Sequence, residues 1–85
     1  MDEKRASPRR RVLKAGRIVF NDKQSVINCT VRNLSETGAL LKVENALSVP
    51  SEFTLRFDES SASCRAVRRS LAEIAVAFLS PPQPA

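Results

Sequence analysis

Apolar residues recur at every second position through much of this chain. In SVINCTVRN, residues 25–33, Ile27, Cys29 and Val31 alternate with Asn28, Thr30 and Arg32. In FTLRF, residues 53–57, Phe53, Leu55 and Phe57 alternate with Thr54 and Arg56. A period of two puts alternate side chains on one face of an extended segment, so each stretch predicts a strand with one buried face. LKAGRIVF (13–20) reads as a first strand, ended by the turn signal NDKQ (21–24), and ALLKV (39–43) resumes the pattern after the polar turn LSETG (34–38). A loop runs from Asn45 to Ser51 and includes Pro50, and DESSAS (58–63) reads as another. SCRAVRRSL and EIAVAFL (63–71 and 73–79) predict two further strands joined by a short turn at 71–73, with Ile74, Val76 and Phe78 facing inward. The stretch SSASCRAVRRSLAEIAVAFL has enough Ala and Arg to be read as a helix, but its alternating Val, Ile and Phe favour strands.

The pattern therefore amounts to about six short strands, no convincing helix and closely spaced turns. A chain of this kind cannot leave both sheet edges open and stay soluble, so a small closed or nearly closed antiparallel barrel is the expected all-β fold. The expected organisation is a basic N-terminal arm at 1–11, a barrel at 12–79 and a Pro-rich tail at 80–85. The tail SPPQPA is not expected to extend the sheet, because proline has no amide hydrogen to donate.

Charge sharpens this division. Residues 1–17 carry Lys4, Arg5, Arg9, Arg10, Arg11, Lys14 and Arg17 against Asp2 and Glu3, so 7 − 2 = +5, while the remaining residues carry 7 basic and 7 acidic groups. The whole excess sits in the first fifth of the chain and points to an anionic partner: a nucleotide, a nucleic acid or a membrane surface. No apolar run reaches the ~18 residues of a bilayer span, and the charged start lacks a signal-peptide core, so a cytoplasmic location is expected. Cys29 and Cys64 lie far apart within strand-like sequence, and no histidine is present. Both thiols are expected in the core, with no metal site. With no histidine, no phosphate loop and no cysteine beside a base, no enzyme is expected either.

Two constellations carry candidate chemistry. In RASPR (5–9), Arg5 and Arg9 stand four apart on a segment that Pro8 biases towards an extended form. Guanidinium groups fork onto phosphate oxygens and onto the O6/N7 edge of guanine, and their flat faces stack on purines. In NLSETG (33–38), Asn33 and Ser35 have short polar side chains that bond either to nearby amides or to a ligand. Gly38 allows positive φ or close approach of a ligand to the backbone. A plain hairpin turn would use the same residues.

Taken together, RASPR followed by NLSETG after the second strand resembles the PilZ domain family, the bacterial receptors for cyclic di-GMP. That family carries R-x-x-x-R in an N-terminal arm and D/N-x-S-x-x-G after its second strand. The likeness covers almost the whole chain, and CRAVRRS and IAVAFL resemble the family's closing hairpin. It implies a six-stranded antiparallel barrel of the split, Greek-key PilZ type with a mobile basic arm. It further implies that Arg5 and Arg9 grip phosphates and guanine edges, that Asn33 and Ser35 hydrogen-bond the ligand, and that Gly38 keeps the turn open. Lys4, Arg10 and Arg68 are additional candidates. Lys4 stands where an arginine in relatives accompanies a stacked ligand pair, and lysine keeps the charge without the planar surface. Arg68 stands where relatives often carry Trp, and Ala75 where they carry Gly, which suggests modest repacking of the barrel.

The resulting expectation is a receptor or adaptor that clamps cyclic di-GMP between arm and turn, orders the arm and changes the surface shown to a downstream protein. Self-association is compatible with this reading, which needs no cofactor. A basic barrel binding nucleic acid is the first alternative, weakened by the lack of aromatic residues free for stacking. A PilZ-like protein-interaction module that has lost the nucleotide is the second.

Overall fold

The computed structural model describes residues 10–22 and 24–84. Seven strands are formed: β1 (Arg10–Phe20), β2 (Ser25–Leu34), β3 (Gly38–Lys42), β4 (Glu52–Phe57), β5 (Ser60–Arg69), β6 (Glu73–Phe78) and β7 (Gln83–Pro84). A short 3-10 turn at Ala46–Ser48 is the one helical element among the described residues. The sheet runs β4-β1-β2-β3-β6-β5, and β4 also pairs with β5, which closes six strands into an antiparallel barrel. No described helix is long and apolar enough to cross a membrane.

The alternation read from the sequence is the burial pattern of the barrel. Ile18, Val31, Leu41, Leu55, Cys64 and Ile74 are fully enclosed, and Phe53, Phe57 and Val76 join them in one cluster. Barrel diameter grows with strand number, and about eight strands give an interior just wide enough for side chains to fill, so six strands enclose a packed core and not a channel. Both cysteines are free thiols inside it.

Three local readings are corrected. DESSAS is not a loop: Asp58 and Glu59 alone make the connection, with φ of 50° and 60°, and β5 starts at Ser60. Two successive positive φ angles give the tight hairpin turn whose twist matches that of paired strands. Asp-Glu lacks the Asn-Gly signature of such a turn, which hid it. Lys14 Nζ reaches Asp58 Oδ2 at 2.6 Å and ties this turn to β1. The first strand begins at Arg10, so Arg10 and Arg11 belong to β1 and not to the arm. The Pro-rich tail does add to the sheet, with Gln83 and Pro84 pairing with Ser61 and Ser60. This is an edge position, where a missing amide donor costs nothing on the outer side.

Burial pushes the Cys29 thiol up to about 11 and the Cys64 thiol up to about 12, from 9.0. Their folded values exceed the unfolded one, so the neutral thiols stabilise the fold fully below pH 9, and that contribution disappears as pH rises towards 11 and 12. Denaturant titrations should show stability falling above pH 9, more shallowly in the Cys29→Ala/Cys64→Ala variant; equal slopes would place the alkaline loss elsewhere. Leu55→Ala, at a fully enclosed position, should cost about 2–5 kcal/mol in the same assay.

Candidate functional site

Strict alternation along β2 would turn Asn33 inward, in phase with Cys29 and Val31. The β2–β3 register instead shifts between Val31 and Asn33, leaving Arg32 as an extra residue, and Asn33 pairs with Leu40. The same device operates on β5. Ala62, Cys64 and Ala66 face inward, the register against β6 shifts between Ala66 and Arg68, and Arg68 pairs with Ala75. A bulge inserts one unpaired residue and reverses which face the following side chains occupy. Two bulges therefore bring Asn33 and Arg68 to the outside of the barrel.

Residues directly opposite each other in paired strands share a face. The pairs Arg11↔Asn33, Asn33↔Leu40, Leu40↔Ala75 and Ala75↔Arg68 thus form one row across β1, β2, β3, β6 and β5. The row crosses an open groove of about 830 Å³ whose lining includes Asn33, Ser35, Gly38, Leu40, Arg68 and Ala75. Leu40 and Ala75 make an apolar floor, with an amide at one wall and a guanidinium at the other. Asn33 and Arg68 are three strand spacings apart, about 14 Å along the sheet.

The turn above the floor is braced by Ser35. Its Oγ accepts from the amides of Thr37 and Gly38, both at 3.2 Å, and its own amide donates to the Gly38 carbonyl at 2.9 Å. Ser35 therefore acts first as the scaffold of the turn. Gly38 does not take positive φ. Its hydrogen matters for another reason: a Cβ there would fall within 3.0 Å of the Val76 carbonyl oxygen on β6. The glycine is required by a neighbouring strand lying against it. Ala75, read from sequence as a repacking of the barrel, lies on the outer face, half-buried in the groove floor.

Charge in the groove is partly committed. Arg69 donates to the carbonyls of Ala46 at 2.8 Å and Val49 at 2.5 Å, holding the 3-10 turn in place. Glu73 faces Arg32 at 3.7 Å. Among the described residues, the Asn33 amide and the Arg68 guanidinium have no hydrogen-bond or ion-pair partner, and both line the groove. Arg10 is exposed and pairs with Leu34, beside the turn. Lys4, Arg5 and Arg9 lie outside the described residues. No group of three or more potential ligands could hold a metal ion among the described residues. Sequence reading missed Leu40 as floor, although its alternation with inward Leu41 carried the signal.

Comparison with known proteins gives one family: a model described as PilZ domain matches residues 3–85. No curated protein matches the chain.

The two turn residues should differ from the groove walls in their effect on stability. Gly38→Ala must displace β6 backbone and is expected to cost about 1–3 kcal/mol, and Ser35→Ala about 1 kcal/mol. Arg68→Ala, exposed and unpaired, should stay within about 0.5 kcal/mol of wild type. Urea unfolding of the three variants checks this ranking, and a Gly38→Ala protein as stable as wild type would contradict the close approach to Val76.

Proposed function

The chain belongs to the PilZ domain family of cyclic di-GMP receptors, and we propose that it binds cyclic di-GMP in the groove between NLSETG and β5. The observation that carries this reading is the pair of bulges that turn Asn33 and Arg68 onto one row, either side of an apolar floor. A guanine base needs a flat apolar support, hydrogen-bonding groups for its edge and a cation for the phosphate beside it. Leu40 with Ala75, Asn33 and Arg68 supply these in order.

In this reading Arg5 and Arg9 approach from the N-terminal side, fork onto phosphate or guanine, and hold the ligand against the turn. Lys4 and Arg10 add charge at the same end. Ser35 keeps its bonds within the turn, presenting the backbone of 35–38 at a fixed height, and Gly38 lets that turn sit low on β6. The clamped arm covers part of the barrel that was open before, which changes the surface available to a downstream protein. The act is recognition and not catalysis.

Support for nucleic acid is weaker. Single-strand binders rely on exposed aromatic rings, and here Phe53 and Phe57 are core residues while Phe20 and Phe78 pack against that core.

Calorimetric titration with cyclic di-GMP should give saturable binding. Arg5→Ala, Arg9→Ala and Arg68→Ala should each weaken it by roughly 1.5–3 kcal/mol, the range for bonds to charged groups. Ser35→Ala should weaken it only as far as the turn loosens. Absence of binding by the wild-type chain, or equal affinity for unrelated polyanions with steep salt dependence, would reject the proposal.

A further inference from the structure

On the opposite side of the barrel, around the β1–β4 seam, lies a second concavity of about 420 Å³ lined by Arg17, Asn28, Arg56 and Ser60 among others. The pairs Asn28↔Arg17, Arg17↔Arg56 and Arg56↔Ser61 place two arginines side by side, flanked by an amide and a hydroxyl. Directly opposed Cα atoms in a ladder are about 4.5–5.5 Å apart, so both guanidinium groups reach one small ligand. Like charges in that relation repel and destabilise a sheet unless something neutralises them.

Among the described residues no carboxylate forms an ion pair with either guanidinium. Elsewhere the barrel commits its cations: Lys14 to Asp58, Arg32 to Glu73, Arg65 to Glu52, and Arg69 to two carbonyls. The described cations left without a partner are Arg10, Arg11 and Arg68 by the first groove, Arg17 and Arg56 here, and Lys42. Two carboxylates line this concavity, but Asp58 is held by Lys14 at 2.6 Å and Glu59 sits exposed on the turn. Neither carboxylate is ion-paired with Arg17 or Arg56, so both guanidiniums keep their N–H donors for an incoming group.

We infer that Arg17 and Arg56 form a second anion site, separate from the cyclic di-GMP groove, that takes a phosphate group with Asn28 as a neutral donor in the concavity and Ser61, the cross-strand neighbour of Arg56, as a second at its border. Two forked guanidiniums with adjacent amide and hydroxyl groups match the several acceptor oxygens of a phosphate dianion better than a single carboxylate. The phosphate can be free, part of a nucleotide or part of a lipid headgroup. The site is independent of the first groove, because it shares no residue with it.

The test is amide NMR of the full chain titrated in parallel with inorganic phosphate, pyrophosphate, adenosine monophosphate and glycerol phosphate. Saturable shifts confined to residues 15–17, 28 and 56–61 in any arm support the site, and the arm saturating first identifies the source. Arg17→Gln and Arg56→Gln should each weaken that binding about tenfold or more. Arg65→Gln, on the far side of the same strand pairing, should leave it unchanged. Phosphate should also raise the melting temperature of wild type but not of the two Gln variants. Linear shifts without saturation through tens of millimolar, shifts centred on 33–40 and 68–77, or a Gln variant with the wild-type response would each overturn the inference. Because cyclic di-GMP is titrated separately, failure here leaves the first groove untouched, and failure there leaves this site standing.

Discussion

Ring closure is the constraint from which the rest follows. Once β4 pairs with both β1 and β5, every barrel strand is held by two neighbours, and none can slide without breaking a ladder on the other side. Register then ceases to be a local matter. A residue's place around the barrel, its facing and its row mates are decided together, which is how side chains from five strands come to stand in one line. A slip of one residue would exchange inner and outer faces along a whole strand, so the enclosed core of Ile18, Val31, Leu41, Leu55, Cys64 and Ile74 also polices the outer surface.

Chemistry on this fold is therefore written on the outside of a filled cylinder. The interior has no room for a ligand, and its polar content is two thiols held neutral by burial. The outer face offers two concavities on opposite seams, one with an apolar floor between an amide and a guanidinium, the other with paired guanidiniums. In the proposed reading the first takes a ligand with flat bases and phosphates, and the second a bare anion.

Much of this was legible in the residues. Alternation in SVINCTVRN and FTLRF gave the strands and the core, and it did so because burial on one face of a pleated strand leaves a period of two that nothing else imitates. The N-x-S-x-x-G spacing pointed to one turn, and Asn33, Ser35 and Gly38 line one groove together with Arg68; the R-x-x-x-R residues lie outside the described residues. What stayed hidden was whatever depends on a partner strand. A bulge is a mismatch between two strands, so Arg32 and Val67 look like ordinary strand residues when read singly. The role of Gly38 depends on Val76, nearly forty positions away in sequence. The Asp58–Glu59 turn was missed because pairing on either side forces angles that neither residue prefers.

Those bulges carry a consequence for how such a domain varies. Arg32 and Val67 act as frame-setting insertions: each is a single residue whose presence decides whether everything downstream in its strand is presented to solvent or swallowed. Removing Val67 would leave the composition almost untouched, yet it would return Arg68 to the phase of Cys64 and Ala66 and bury a charge. Length at these two points is thus as much a part of the groove surface as the identity of any side chain on it.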